Sequence, residues 1–174
     1  MTPQDRAARA VRFAFRQRGK PYRWGGTGPY SYDCSGLVQR AWRSAGVRIP
    51  RVASTQYRRI HRKIRRSRLR AGDLVFFHGF GHVGMYIGRG RFIHSPRAGT
   101  TVRVNRLNGH YGRSMVGAVR PIRAGWRARR HEHSRGAVRH PTVRPELVPG
   151  APCQEPANPG PGVDPTAPEF GYCA

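Results

Sequence analysis

The chain has 174 residues, a formal net charge of +25 and three cysteines. This length is sufficient for one domain with a hydrophobic core, whereas three cysteines are too few for a disulfide framework and no apolar stretch is long enough to cross a membrane. The charge predicts attraction to polyanions. Because no nucleic-acid-binding motif accompanies it, the sequence argues against a specific nucleic-acid function.

Charge and proline divide the chain into two parts. Residues 1–121 contain 26 of the 33 Lys and Arg residues and only three acids, whereas residues 122–174 contain nine of the fifteen prolines. We therefore predict a folded basic domain over 1–121 and a proline-rich, disordered tail over 122–174. Cys153 and Cys173 could pair within the tail and leave Cys34 free; alternatively, all three are reduced thiols.

The first predicted helix begins directly after Met1. Thr2 is the expected N-cap, with Pro3 at the first helical position and Asp5 at the third, and Gly19 closes the helix. No secretory signal therefore precedes the domain. Either a leader has been removed from this numbering, or export does not use one.

A glycine-rich and aromatic-rich segment, residues 22–33, runs directly into Cys34. An apolar stripe at helical spacing follows it, made of Leu37, Val38, Ala41, Trp42 and Ala45. Asp33 is the predicted N-cap, which places Cys34 in the first helical turn, where the helix dipole favours a thiolate. The simplest alternative is that Cys34 is a small buried apolar residue.

The remaining elements are short. Residues 53–60 are predicted to form a helix led by Ser54, Thr55 or Gln56, and residues 61–70 an exposed basic connection. The predicted strands are Leu74–Phe77, His82–Gly88, Arg91–Ser95, Thr101–Val104 and Ser114–Arg120. Helices thus come first and an antiparallel sheet second, which indicates an α+β fold.

Two histidines are candidate partners for the cysteine. A cysteine peptidase needs a histidine that moves the proton and a group that orients this histidine. If residues 88–90 form a three-residue hairpin loop, His94 lies opposite Gly84 on the face that also carries His82. A two-residue loop would place the two histidines on opposite faces, so a triad with Cys34 favours the odd-length loop.

The other polar clusters are interpreted as surface features. His61, His78 and His110 lie in basic or glycine-flanked segments and are predicted to be surface residues. His131, Glu132 and His133 suggest metal binding, but no further ligands are brought to them by a recognisable fold. We expect neither a metal nor another cofactor.

Residues 1–121 resemble the NlpC-type cell-wall endopeptidases, because several motifs occur in the order and approximate spacing of that family. The matching motifs are Tyr22-Arg23-Trp24-Gly25-Gly26, Asp33-Cys34-Ser35-Gly36-Leu37-Val38, Ile49-Pro50-Arg51 with Gln56, Gly72-Asp73-Leu74-Val75-Phe76-Phe77, His82-Val83-Gly84-Met85-Tyr86-Ile87-Gly88 and Phe92-Ile93-His94-Ser95-Pro96. The tail resembles no family in this way.

The resemblance implies a papain-like α+β fold with N-terminal helices packed on a central antiparallel sheet. It implies that the catalytic residues are Cys34, His82 and His94, with His94 in the orienting position. It further implies that Tyr22 contributes to the oxyanion site. Asp33 and Ser35 would flank the nucleophile and contact the substrate.

The activity implied by the resemblance is hydrolysis of peptide bonds in peptidoglycan stem peptides, commonly between D-γ-glutamyl and a diamino acid, through a thioester on Cys34. The same scaffold would also suit an amidase or an acyl transferase. A third possibility is a non-catalytic basic module that binds an anionic wall polymer or nucleic acid. For the enzyme we expect an extracellular or cell-wall location, with the basic surface holding it on anionic wall polymers.

Overall fold

The computed structural model describes residues 1–122, which form an α+β domain as predicted. Its helices are α1 (Pro3–Arg16), α2 (Cys34–Ser44), α3 (Ala53–Arg59) and α4 (Gly109–Ser114), with a 3₁₀ turn at Arg66–Arg68. Its strands are β1 (Leu74–Phe77), β2 (His82–Gly88), β3 (Arg91–His94), β4 (Arg103–Arg106) and β5 (Met115–Val119). They form one sheet in the order β4-β3-β2-β1-β5, in which all paired neighbours are antiparallel.

The helices pack on the sheet as the resemblance implies. At the start of α1, the Thr2 hydroxyl accepts from the Asp5 backbone N–H while the Asp5 carboxylate accepts from the Thr2 N–H, which is a complete capping box. Helix α1 packs against α2, and α2 packs against β2 and β3. The predicted apolar stripe of α2 is buried in the resulting core.

Strand β1 is buried on both of its faces. Leu74 and Phe76 belong to the core cluster beneath the helices, whereas Val75 and Phe77 belong to a second apolar cluster. Side chains alternate across a strand, so the two sets project to opposite faces of the sheet. This explains why the β1 sequence is continuously apolar.

The glycine loop and the start of α2 touch at backbone level. The Asp33 backbone N–H donates to the Gly26 carbonyl at 2.9 Å, and the Asp33 carboxylate accepts from the Gly36 N–H at 2.6 Å. A Cβ placed on Gly36 would lie only 2.1 Å from the Gly26 carbonyl oxygen. Glycine at position 36 is therefore required by the close approach of the loop to the helix.

We predict that Gly36→Ala destabilises the domain by about 2 kcal/mol, because a backbone clash costs more than the ~1 kcal/mol that alanine gains in a helix. Gly112→Ala is the matched control: it is also in a helix, and its Cβ would meet the movable Arg66 guanidinium at 3.1 Å. Urea unfolding of both variants measures the difference. Equal stabilities of the two variants would contradict the prediction.

The β2–β3 hairpin differs from the predicted one. Gly88 pairs with Arg91, so the loop has two residues, Arg89 and Gly90, both with positive φ (52° and 65°), as in a type I′ turn. The register shifts between Tyr86 and Gly88. This bulge adds the extra residue that the predicted three-residue loop would have supplied. His82 and His94 therefore lie on the same face of the sheet, as predicted, although the predicted loop length was wrong.

Several boundaries also differ. Helix α3 begins at Ala53, after Val52, and its N-terminus has no side-chain cap. The prediction that Ser54, Thr55 or Gln56 begins this helix was therefore wrong. Strand β4 begins at Arg103, two residues later than predicted, and α4 was not predicted. The tail prediction beyond residue 122, the Cys153–Cys173 pairing and the segment 131–133 lie outside the described residues. Within residues 1–122, no helix is long and apolar enough to cross a membrane.

Candidate active site

Cys34 is the first residue of α2 and has no solvent-exposed surface. The Asp33 cap places Cys34 in the first turn of α2, a position where the helix dipole lowers the pKa of a thiol. The N-terminal position predicted from the sequence is therefore confirmed.

His82 and His94 lie at the same end of the β2–β3 pair, because His82 begins β2 and His94 ends β3. The His82 Nε2 and His94 Nδ1 atoms are 2.8 Å apart, which is a hydrogen bond. Continuing the register of the two strands places Gly84 opposite His94. A Cβ on Gly84 would lie 3.2 Å from the His94 Cβ, so the absent side chain leaves room for the two rings to meet.

Asn105 completes a chain of polar groups that the sequence analysis missed. Its Oδ1 lies 3.0 Å from His94 Nε2. An amide oxygen only accepts, so His94 Nε2 carries the hydrogen and His94 Nδ1 accepts from His82 Nε2–H. His82 Nδ1 is then the atom left to exchange a proton with a thiol. The only sequence signal for Asn105 was its place directly after the predicted strand 101–104.

His94 is held neutral by its surroundings. The ring is 0% exposed, and burial lowers its pKa to about 4, although the hydrogen bond to Asn105 opposes this shift and the charge of Arg103 adds to it. A neutral imidazole that accepts from His82 stabilises the protonated form of His82. His94 is therefore better suited to orienting and polarising a neighbouring proton carrier than to carrying a proton near neutral pH.

We predict that His94 makes the domain less stable as the pH falls. Unfolded His94 titrates near pH 6.5, whereas folded His94 titrates near pH 4, so the unfolded chain binds more protons between these values and is favoured as the pH is lowered through them. The shift corresponds to up to about 3 kcal/mol. Urea unfolding of the wild type and of His94→Gln between pH 7 and pH 4 measures it. Parallel stability curves would contradict this interpretation.

A buried hydrogen bond joins the histidine end of the sheet to the cysteine loop. The Ser95 hydroxyl, directly after His94, donates to the Tyr32 carbonyl at 2.7 Å. The backbone of Tyr22 bridges to Tyr32, and its N–H donates to the Thr100 carbonyl at 2.8 Å. The structure thus brings the segment of Tyr22, the approach to Cys34 and the end of β3 together.

Asp33 and Ser35 are nearly inaccessible, at 4% and 1% exposure. The Asp33 carboxylate accepts from the Gly36 N–H, from the Ser35 hydroxyl and from both terminal nitrogens of Arg51, whose Nη1 also donates to the Ser35 hydroxyl at 2.8 Å. Asp33 therefore caps α2 and holds Arg51 at the start of this helix. Arg51, about one third exposed, was noted only as part of a motif in the sequence.

The other histidines of the described part lie outside this chain of hydrogen bonds. His61 and His110 are exposed as predicted, but His78 is half-buried and its ring lies 5.4 Å from that of His110. Burial, and secondarily the charge of His110, lower the pKa of His78. Among residues 1–122, no group of three or more His, Cys, Asp or Glu side chains is arranged to hold a metal ion.

The fold and the arrangement of the candidate site together indicate a class of protein. A cysteine at a helix N-terminus, after a loop that is hydrogen-bonded to the strand end carrying a histidine pair, is the α+β arrangement of papain-like thiol hydrolases. Comparison with known proteins gives the family: the model of the NlpC/P60 family matches residues 19–120. The chain belongs to the NlpC/P60 family.

Similar proteins include murein DD-endopeptidase MepH of Escherichia coli, 46% identical over 120 residues, which are 64% of this chain and 44% of MepH. A γ-D-glutamyl-L-lysine dipeptidyl-peptidase of Bacillus cereus is 43% identical over 96 residues, covering 52% of this chain and 28% of that protein. The crystal structure of an NlpC/P60 family protein from Bacillus cereus matches with a TM-score of 0.63 and 37% identity, over 67% of this chain and 40% of that one. The chain thus spans less than half the length of these relatives.

Proposed function

We propose that this protein is a peptidoglycan endopeptidase that cleaves stem peptides with Cys34 as the nucleophile. The observation that carries the proposal is the hydrogen-bond chain from His82 through His94 to Asn105, at the end of the sheet to which the Cys34 loop is bonded. Membership of a family whose relatives are named as murein and stem-peptide hydrolases supports it.

The reaction proceeds in two halves. His82 Nδ1 takes the thiol proton, and the Cys34 thiolate attacks the carbonyl carbon of the scissile bond to give a tetrahedral intermediate. His82 returns the proton to the leaving amine as the C–N bond breaks, leaving a thioester. Water then attacks the thioester, again with His82 as the base. As the C–S bond breaks, His82 passes this proton to the sulfur, and the carboxylic acid product releases its own proton to solvent.

The developing oxyanion requires hydrogen-bond donors. We assign one donor to a backbone N–H at the start of α2 and the second to the Tyr22 hydroxyl, since the backbone of Tyr22 bridges to the segment before Cys34. One donor of this kind is worth about 2.7–4 kcal/mol of transition-state stabilisation. No metal ion or cofactor takes part in these steps.

Substrate contacts are assigned to the cluster beside the nucleophile. Ser35, Asp33 and the guanidinium of Arg51 form one charged, hydrogen-bonded unit directly next to Cys34, and we propose that this unit contacts the stem peptide. Because the carboxylate of Asp33 is already engaged by its neighbours, Arg51 is the member that reaches solvent. We assign the cleaved bond to D-γ-glutamyl–diamino acid, as in the name of the Bacillus cereus relative.

A D,D-bond in a cross-link is the main competitor, because MepH is named for that bond. The test is to incubate the full chain with purified disaccharide-tetrapeptide and with its D,D-cross-linked dimer, and to identify new amino termini by mass spectrometry. A free diamino-acid α-amine from the monomer supports the proposal. Release of monomers from the dimer alone assigns D,D-cleavage, whereas a free L-alanine amine assigns an amidase and a transpeptidated product an acyl transferase.

We further propose that the enzyme works at the cell wall and that its basic surface retains it there. Residues 61–70 carry six arginines or lysines and are exposed almost throughout. Attraction of such a surface to an anionic wall polymer is screened within about 10 Å at 0.1 M salt. Sedimentation with purified walls should therefore weaken with rising salt, whereas the cleavage of a small soluble muropeptide should change much less.

A further inference from the structure

A cavity of about 370 Å³ lies at the far end of α2 from the cysteine. Ala7 of α1, Trp42 of α2 and Gly72, just before β1, form part of its wall. Trp42 follows Cys34 by eight residues, which corresponds to about 12 Å along the helix. The volume falls in the range of small-molecule sites, and the position separates the cavity from the hydrolytic centre.

The indole of Trp42 forms part of the cavity wall, but its N–H is buried behind the surface of that wall. Trp42 is 1% exposed, and its Nε1 has no hydrogen-bond partner within the described chain. A Cβ on Gly72 would lie 3.2 Å from Trp42 Cζ2, and Cζ2 is bonded to the ring carbon that carries Nε1. The six-membered ring of the indole therefore packs against the Gly72 wall, and its N–H signal is placed to report a ligand bound on the other side of that wall.

The charges around the cavity are unbalanced. Arg62, Arg70 and Arg120 line it together with a single acid, Asp73. Both oxygens of Asp73 are engaged by Arg120, at 2.6 and 2.7 Å, and one also accepts from the Arg70 backbone N–H at 2.8 Å. Arg62 and Arg70 therefore leave an excess of two positive charges. The remaining lining is largely apolar and includes Pro3, Ala7, Ala8, Ala71 and Ile122.

We propose that this cavity binds a small ligand with an anionic oxygen group, a carboxylate or a phosphate, on a compact apolar body. The anionic group accepts from the guanidinium groups of Arg62 and Arg70. The apolar body packs against the alanines of α1. Because the site lies apart from Cys34, its occupation does not depend on the hydrolytic activity.

The test uses the full chain labelled with ¹⁵N at tryptophan, with the Trp42 indole signal assigned from Trp42→Phe. Phenyl phosphate, benzoate and the neutral benzyl alcohol are titrated at physiological salt. We expect a saturable shift of the Trp42 indole N–H with at least one anion and none with benzyl alcohol. The response to phenyl phosphate or to benzoate distinguishes a phosphate ligand from a carboxylate ligand.

Two double variants separate a defined site from general electrostatics. Arg62→Gln/Arg70→Gln should weaken anion binding at least about tenfold, whereas Arg89→Gln/Arg91→Gln removes the same charge at the exposed β2–β3 turn and should leave it unchanged. All four arginines are exposed, so the variants should fold. Arg70→Gln alone provides a second measurement of the loss of anion binding. The proposal would be overturned by any of three results: no saturable shift of the Trp42 indole signal at millimolar probe, an equal shift with benzyl alcohol, or an equal loss of anion affinity in both double variants.

Discussion

Replacing Cys34 by alanine is expected to lower stem-peptide cleavage by about 10⁴-fold or more, because the variant cannot form the thioester. Cys34→Ser is expected to be similarly inactive, since a hydroxyl is far less easily ionised than a thiol. The measurement is release of new amino termini from purified peptidoglycan, followed by mass spectrometry.

The two variants also control for folding. Cys34 is buried in the core cluster, so alanine removes some packing, whereas serine nearly preserves the volume. Both should retain the wild-type circular dichroism spectrum and a cooperative thermal transition. If either folded variant cleaved peptidoglycan at the wild-type rate, Cys34 would not be the nucleophile, and a binding module or another reaction centre would have to be considered.

Replacing His82 by glutamine is expected to reduce kcat/KM by about 10²–10⁴-fold through loss of the proton carrier. Glutamine keeps an N–H that can donate to His94 Nδ1, so the chain to Asn105 is perturbed less than by alanine. In addition, the pKa of the Cys34 thiol should rise toward the free value of about 8.5. The rate of iodoacetamide alkylation as a function of pH measures this change separately from turnover.

His61→Gln is the matched control for His82→Gln, because His61 is an exposed histidine in the basic connection. It should change neither kcat/KM nor the alkylation profile. A normal alkylation profile in His82→Gln, together with wild-type cleavage, would remove His82 from the mechanism. A thiol that titrates near 8.5 in the wild-type protein would contradict the activated cysteine itself and favour the non-catalytic module.

The local features of the chain could be predicted from the sequence because they depend on neighbouring residues. The capping box of α1, the Asp33 cap and the placement of Cys34 at the start of α2 follow from side chains within three or four positions of one another. The apolar run of β1 likewise predicts a strand buried on both faces. From these elements, and from the resemblance of several motifs, the α+β class and the family were correctly predicted.

The sequence by itself determined most of the helices and strands, the family and the candidate residues other than Asn105, because each of these depends on local pattern. Only the tertiary structure decided how they meet. His82 and His94 share one face of the sheet because a bulge compensates for the two-residue turn, and no local signal in the sequence predicts that bulge. Asn105 becomes a partner of His94 only through the pairing of β3 with β4. The cavity beside Trp42 likewise forms only where α1, α2 and the segment before β1 are packed together, since its walls come from residues far apart in the chain.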